Sequence, residues 1–218
     1  MNKKKLKIGL ITYRGNPSSG GQGIYINYLS RALSDLGHEV TVISGPPYPE
    51  IRKDINLIKI PSLDLFSKKN KFLDVKFSKL LSLNNLKEWI SANTGGFPEP
   101  HTFGPRLKKF IEESADQFDV IHDNQTLCKE LISLQQKLPL VTTIHHPITK
   151  DLKFQLKSTN DFFLKLLIKR WHSFIPTQIK VAKKLKKIVV PSESSENDVV
   201  KDFSLKDASI EVVHNGID

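Results

Sequence analysis

The sequence has 218 residues, of which 39% are hydrophobic and 26% charged, and its formal net charge is +10. This composition excludes a chain that is disordered throughout and suffices for one α/β domain with a substantial core, while the single cysteine, Cys128, excludes an internal disulfide and fits a reducing compartment. No apolar run approaches the ~20 residues that span a bilayer, and the apolar run after the lysine-rich start is too short for a signal peptide, so we expect a cytoplasmic protein.

The N-terminal residues predict a strand, a helix and a second strand. Residues 6–12 form a short apolar run, typical of a strand that is buried on both faces. Residues 24–36 place apolar side chains on one helical face, and Gly37 occupies the position where helices commonly end. Residues 39–43 are rich in β-branched side chains and predict a strand. This order of elements indicates a parallel pair of strands.

The same alternation continues to the end of the chain. Further strands are predicted at 56–60, 119–122, 140–145, 188–190 and 210–213. Helices are predicted near 84–90, at 107–113, 126–137 and 161–175, then from the break at Pro176 to 185, and from Ser192 or Glu193 to about 203. The pattern predicts an α/β fold with a doubly wound, mostly parallel, Rossmann-like sheet.

Polar residues, glycines and histidines follow the predicted strands. Because ligands of open α/β sheets bind beyond the carboxyl ends of the strands, these residues are the candidates for a site. The candidate catalytic residues are His122, Asp123, Asn124, His145 and His146. The candidate substrate-binding residues are Gly20, Gly21, Gln22, Gly23, Tyr48, Ser192 and Glu193.

The glycine-rich loop Gly20-Gly21-x-Gly23 precedes the first predicted helix. Backbone N–H groups at a helix N-terminus can hold an anion, and glycines let a phosphate come close. The spacing matches neither the dinucleotide-binding fingerprint nor a P-loop. A flexible turn is the alternative that the residues leave open.

The remaining candidates favour neither a metal site nor a serine hydrolase. Asp123 could orient a histidine or accept a proton. The neighbours His145 and His146 should point in different directions, so they are not expected to share a role. The sequence contains no Cys-x-x-Cys pair and no Gly-x-Ser-x-Gly element, and we expect no metal and no cofactor.

The positive charge is concentrated in residues 150–187, which hold eleven Lys or Arg and two acidic residues. Such a face suits anionic lipid, a phosphorylated substrate or nucleic acid, while a solvated helix face is the alternative. No nucleic-acid-binding signature accompanies it, so we expect no nucleic-acid partner. The aromatic residues of the stretch, Phe162, Phe163, Trp171 and Phe174, have helical spacing and are expected to pack on the sheet.

Four segments together resemble the N-terminal part of glycosyltransferase family 4. They are the Gly20–Gly23 loop, Leu-Gly-His-Glu-Val-Thr-Val at 36–42, Val-Pro-Ser-Glu-Ser-Ser at 190–195 and Val-Val-His-Asn-Gly-Ile-Asp at 212–218. The resemblance implies the GT-B fold, in which two Rossmann-like domains face each other across a cleft. Residues 1–218 would then form the single, acceptor-side N-terminal domain, without the C-terminal domain that binds the nucleotide-sugar.

The resemblance also implies roles for the candidate residues. The Gly20–Gly23 loop would lie against the donor diphosphate or the transferred sugar. Many members carry a histidine at the position of Asn124, so His122, or one residue of the pair His145 and His146, would take its place. Transfer would retain the anomeric configuration, with the leaving phosphate assisting the acceptor, and would need no metal.

The chain is therefore expected to be a glycosyltransferase domain that is inactive without a donor domain, either because it is truncated or because a separate chain supplies that domain. Its expected partners are a nucleotide-sugar as co-substrate, an acceptor that is a glycan, lipid or small molecule, and, as an option, an anionic membrane surface at the cytoplasmic side. In that option, which the resemblance implies, residues 150–187 would be an interfacial patch with Phe162, Phe163, Trp171 and Phe174 instead of a core helix. The alternative function is a non-enzymatic module that binds a sugar or a lipid head group.

Overall fold

The computed structural model describes residues 4–17, 21–205 and 209–216, which form a parallel sheet with helices on both faces. The strand order is β3-β2-β1-β4-β5-β6-β7, and every neighbouring pair is parallel. The strands are β1 Lys7–Thr12, β2 Glu39–Ser44, β3 Asn56–Lys59, β4 Val120–Asn124, β5 Leu140–Thr143, β6 Lys187–Val190 and β7 Ser209–Val212. The predicted doubly wound sheet and all seven predicted strands are confirmed.

Nine helices lie in the described ranges. They are α1 Gly21–Asp35, α2 Phe77–Leu80, α3 Leu83–Asn93, α4 Glu99–Ser114, α5 Leu131–Leu134, α6 Thr149–Lys157, α7 Phe162–Trp171, α8 Ile175–Ala182 and α9 Glu193–Phe203. A 3₁₀ turn at Ala115–Gln117 follows α4. Helices α2 and α6 were not predicted, and α4 begins eight residues before the predicted start.

The helix predicted at 126–137 is wrong in extent, because only the single turn of α5 forms there. Gln125 and Leu127 have φ values of 50° and 48°, which a right-handed helix cannot contain. Leu127, Leu131 and Leu134, whose spacing predicted the helix, instead lie in a compact turn with all three side chains buried.

The sheet separates two apolar layers because side chains alternate along each strand. Ile8 and Leu10 of β1 pack with Ile26 of α1 and with neighbouring β2 residues on one face. Ile11 points the other way, into the larger cluster that contains Leu107 and Ile111 of α4. Burial on both faces explains why β1 has a nearly continuous apolar sequence.

Gly37 ends α1 as predicted, with a φ of 90° that side chains rarely adopt. Its N–H donates to the Ser34 carbonyl, and the next N–H, of His38, donates to the Leu33 carbonyl. The His38 Nδ1 atom then accepts a hydrogen bond from the Leu6 N–H at 3.3 Å, so His38 joins the end of α1 to the start of β1.

The expectation that the aromatic residues of α7 pack on the sheet is wrong for two of them. Phe162 and Phe163 are 68% and 77% exposed, whereas Phe174, just beyond α7, is buried. Helix α7 packs against α6, and the side that carries Phe162 and Phe163 lies in solvent. Trp171 is partly exposed and stacks on Phe97 with ring centroids 5.0 Å apart.

None of the helices in the described ranges has the length and apolar character that crossing a membrane requires.

The Leu107→Ala substitution should lower the free energy of unfolding by about 2–5 kcal/mol, because the fully buried side chain leaves a cavity between α4 and the sheet. Urea denaturation measures the change. Leu83→Ala is the matched control, since Leu83 is 75% exposed on α3, and should alter the value by about 0.5 kcal/mol or less. Equal effects of both substitutions would contradict the assignment of the core.

Candidate functional site

The carboxyl ends of β1, β4 and β5 lie side by side, and the polar residues that follow them meet there. His122 and Asn124 are two residues apart in β4, so both point toward α1. The His122 Nε2 atom lies 2.7 Å from Thr143 Oγ1, and the His145 Nε2 atom lies 2.7 Å from Asn124 Oδ1. The structure thus brings together three of the five predicted catalytic residues.

Helix α1 covers these residues with Tyr25, which the sequence did not single out. The Tyr25 hydroxyl lies 3.2 Å from Thr143 Oγ1, and the Tyr25 ring meets the His145 ring edge-on at 4.5 Å. The Asn124 amide donates to the Gln22 carbonyl in the first turn of α1. We call Tyr25, His122, Asn124, Thr143 and His145 the histidine cluster. The sequence signal that could have identified Tyr25 as a site residue is its position in the first helix, one turn beyond the glycine loop.

Both histidines of the cluster are uncharged at neutral pH. Burial, and next the neighbouring His145, lower the pKa of His122 to about 4. Burial, and next the neighbouring His146, lower the pKa of His145 to about 4. Because Asn124 Oδ1 can only accept, the Nε2 atom of neutral His145 carries the proton and donates it. These rings can exchange hydrogen bonds with a ligand but supply no positive charge.

Asp123 points to the opposite face of β4 and is fully buried. Its carboxyl group accepts hydrogen bonds from the Thr126 hydroxyl and from the N–H groups of Thr126 and Leu127. Burial raises its pKa to about 7, against the lowering effect of these hydrogen bonds. Asp123 therefore stabilises the turn at residues 125–127. Its side chain lies on the opposite face of the sheet from His122 and Asn124.

Two side chains fix the backbone of His145 and His146. Gln125 accepts a hydrogen bond from the His145 N–H at 2.7 Å and donates one to the His146 carbonyl at 2.8 Å. Ser195 donates its hydroxyl to the His145 carbonyl at 2.9 Å. Gln125 and Ser195 were not among the predicted site residues, because their contacts join segments far apart in the chain.

The predicted binding residues Ser192 and Glu193 begin helix α9. The Ser192 hydroxyl accepts the Ser195 N–H at 3.1 Å and caps the helix. Glu193 is exposed, and its carboxylate lies 3.6 Å from the His214 ring. The contacts of Ser192 are therefore structural.

A cavity of about 500 Å³ opens beside the start of α1. The segment after β1 contributes Tyr13, Arg14 and Asn16, and the first turn of α1 contributes Gln22 and Gly23. The opposite wall comes from the segment between β5 and α6 and from α6 itself. Its residues are His146, Ile148, Asp151, Phe154 and Gln155. The cavity thus lies where the fold predicts a ligand, at the carboxyl edge of the sheet.

Aromatic rings form a third wall of this cavity. Phe97 stacks on Trp171 and meets Phe174 edge-on with ring centroids 5.5 Å apart. The Arg14 guanidinium lies 5.6 Å from the centre of the Phe97 ring. The His146 Nε2 atom faces Asp151 Oδ2 at 3.1 Å. An apolar wall beside a few polar groups is typical of small-molecule sites.

The two adjacent histidines therefore face different surroundings, as their sequence positions predict. His145 belongs to the histidine cluster under α1, whereas His146 lines the cavity with its side chain 57% exposed. Of the two, only His146 is placed to touch a ligand in the cavity.

The glycine loop is described from Gly21 onward, and Gly20 lies outside the described residues. Gly21 begins α1, and a Cβ atom at Gly23 would lie 2.3 Å from the Asn16 carbonyl oxygen, so only glycine fits there. Tyr48 follows β2 and does not line the cavity; a Lys59 ammonium lies 5.1 Å from its ring centre. The prediction that the loop holds an anion stays a prediction.

Among the described residues, no group of three or more His, Cys, Asp or Glu side chains is placed to hold a metal ion.

Comparison with known proteins gives matches at the levels of sequence and fold. A family model described as "Glycosyltransferase Family 4" matches residues 19–218. The chain is 37% identical over 215 residues to the MMP alpha-(1->4)-mannosyltransferase of Mycolicibacterium hassiacum, and the match covers 98% of this chain and 52% of that protein. The chain thus spans about half the length of this curated relative.

Solved structures with low sequence identity show the fold alone. UGT89C1 of Arabidopsis thaliana, complexed with quercetin, matches with a TM-score of 0.54 and 13% identity, over 96% of this chain and 50% of that one. LpCGTa, in complex with UDP, matches with a TM-score of 0.52 and 12% identity, over 99% of this chain and 54% of that one.

The Asp123→Asn substitution should change how stability depends on pH. Since folding raises the pKa of Asp123 from 3.8 to about 7, the folded state holds this proton more tightly, and the contribution of Asp123 to stability falls as the pH rises across that range. His122 and His145 act in the opposite direction, because their lowered pKa values make acid destabilising between pH 6.5 and 4.

In Asp123→Asn, the free energy of unfolding should therefore gain more between about pH 4.5 and pH 7 than it does in the unmodified protein. The difference between the two gains should be up to about 3 kcal/mol. Urea denaturation at the two pH values measures this gain. The control is Asp116→Asn, at an exposed aspartate, which should leave the gain unchanged. A gain in Asp123→Asn equal to that of the unmodified protein would contradict the burial of an ionisable Asp123.

Proposed function

The chain belongs to glycosyltransferase family 4, and we propose that it is the acceptor-side domain of a retaining glycosyltransferase that moves a mannosyl group from a nucleotide-sugar to an acceptor. The observation that carries this proposal is the 37% identity to a mannosyltransferase over 98% of the chain. The α-linkage in the name of that relative supports transfer to an α-product.

The cavity is the proposed site of the acceptor. A sugar ring has an apolar face, which suits the stacked rings of Phe97 and Trp171, and hydroxyl groups, which suit His146, Asp151 and Gln155. Asn16 and Gln22 face the same space from the side of α1. This combination supports a carbohydrate ligand more than a purely apolar one.

The first turn of α1 is the proposed place where the donor meets this domain. Gln22 and Gly23 border the cavity with the N-terminal end of a 15-residue helix, where backbone N–H groups favour a diphosphate. The remaining contacts to the donor would come from a second domain, which is why we propose that residues 1–218 alone do not catalyse transfer.

In the proposed reaction, the bond from the mannosyl anomeric carbon to the diphosphate oxygen breaks, and a bond from the acceptor oxygen forms on the same face of the sugar. The acceptor proton moves to the leaving diphosphate. The domain contributes position, because His146 and the aromatic wall hold the acceptor against the donor. The neutral histidine cluster fixes the backbone and the α1 turn that border this space.

The proposal is tested by a transfer assay with the polypeptide at the length that its source cells make. Nucleotide-activated mannose, glucose and galactose are offered with mannose oligosaccharides, and products are identified by mass spectrometry and NMR. We expect addition of one mannose in α-linkage from an α-configured donor. A β-linked product would exclude retention. Binding of the oligosaccharide without transfer from any donor, by a polypeptide long enough to contain a second domain, would favour the non-enzymatic binding module.

The His146→Ala substitution should lower kcat/KM for transfer about 10–100-fold, which corresponds to the loss of about 1.4–2.7 kcal/mol of transition-state binding. Because the His146 side chain is 57% exposed, the midpoint of thermal unfolding should not change. His101→Ala is the matched control, since His101 is exposed and borders a different groove. Wild-type kinetics in His146→Ala would remove His146 from the proposed site.

A further inference from the structure

Helices α6 and α7 form a hairpin whose outer side is apolar and uncovered in the described part of the chain. Phe154 of α6 is 74% exposed, and six apolar residues of α7 are exposed. Leu164 and Trp171 lie on one side of the helix, and the other four are Phe162, Phe163, Leu166 and Leu167. The four lie at positions i, i+1, i+4 and i+5, so they share one side of the helix. We call Phe154 and these four residues the hairpin surface. A group of exposed apolar side chains on one side of a helix often marks an interaction site.

The charges of the hairpin are mostly positive. Residues 149–171 contain six Lys or Arg and two acidic residues, Asp151 and Asp161. The Asp161 carboxylate caps α7 by accepting the Leu164 N–H at 2.9 Å, and so part of its bonding capacity is used within the helix.

Three lysines of the hairpin have no carboxylate within ion-pair distance among the described residues. They are Lys157 at the end of α6 and Lys165 and Lys169 on α7. Lys153, by contrast, pairs with Asp202 at 3.0 Å. Lys165 and Lys169 are one helical turn apart and border the apolar side of α7. The surface thus offers apolar side chains at its centre and unpaired ammonium groups at its margin.

We infer that the hairpin surface docks on an anionic lipid bilayer. Phenylalanine and leucine side chains enter the boundary between head groups and acyl chains, while the lysine ammonium groups remain at the level of the lipid phosphates. A protein partner or a second copy of the chain is disfavoured, because protein interfaces are depleted in lysine. The lysines here are the charges that lie beside the apolar residues.

Docking in this way would bring the cavity to the lipid surface. Phe154 belongs to the hairpin surface and also lines the cavity, and Trp171, the last residue of α7, lines it as well. An acceptor sugar carried on a lipid could then enter the cavity from the membrane. This consequence extends the proposed function, but the docking itself does not rest on it.

The test is co-sedimentation of the 218-residue chain with vesicles of phosphatidylcholine alone or mixed with phosphatidylglycerol. We expect binding to the mixed vesicles, weakened by salt, and at least tenfold weaker binding to phosphatidylcholine. The double variants F162S/F163S and K165Q/K169Q should each lose at least tenfold in affinity for the mixed vesicles. Phe77→Ser is the matched control, because Phe77 is 78% exposed on α2, and should bind like the unmodified chain.

Circular dichroism and thermal unfolding confirm that each variant is folded. The inference is overturned if the unmodified chain does not bind the mixed vesicles, or if both double variants bind as it does, or if Phe77→Ser loses as much as they do. It is also overturned if the protein at its cellular length fails to bind, or if light scattering shows a dimer that F162S/F163S dissociates. The transfer assay with soluble oligosaccharides is independent of every one of these outcomes, so a failed docking test leaves the proposed function standing.

Discussion

Parallel pairing of the strands is the constraint on which the site depends, because it puts all their carboxyl ends along one edge of the sheet. β1, β4 and β5 are neighbours, and the register sets Asn124 beside Thr143 and His122 beside Leu10. Residues more than a hundred positions apart, such as Tyr25 and Thr143, therefore come within hydrogen-bond distance. No contact within a single loop could assemble the histidine cluster or the cavity.

Buried polar groups keep this edge in one arrangement, since each of them would cost free energy without a partner. The Asp123 carboxyl group accepts hydrogen bonds from N–H groups of the turn at residues 125–127. In this turn Gln125 and Leu127 adopt left-handed backbone angles, each at a cost on the order of 1 kcal/mol. That turn aims the Gln125 amide at the backbone of His145 and His146. The position of His146 in the cavity thus depends on a carboxyl group that never reaches the cavity.

Much of the fold follows from local signals in the sequence, such as the β-branched strands, Gly37 after α1 and Ser192 before α9. The wrong helix predictions have one physical reason. The spacing of apolar residues shows which side chains favour burial, but not which part of the chain covers them. It therefore predicted a long helix where Leu127, Leu131 and Leu134 fold into a turn, and a buried α7 where Phe162 and Phe163 are exposed. Tyr25 and Gln125 escaped prediction because their roles depend on distant segments.

The hydroxyl of Thr143 lies between His122 Nε2 at 2.7 Å and the Tyr25 hydroxyl at 3.2 Å. A threonine hydroxyl has one proton, so it donates to one neighbour and accepts from the other. If His122 Nε2 carries no proton, Thr143 donates to it and Tyr25 donates to Thr143; with the other tautomer, both bonds reverse. Tyr25 also borders a groove with His214 and Asn215. The tautomer of the buried His122 ring would therefore decide whether the Tyr25 hydroxyl donates or accepts a hydrogen bond in that groove.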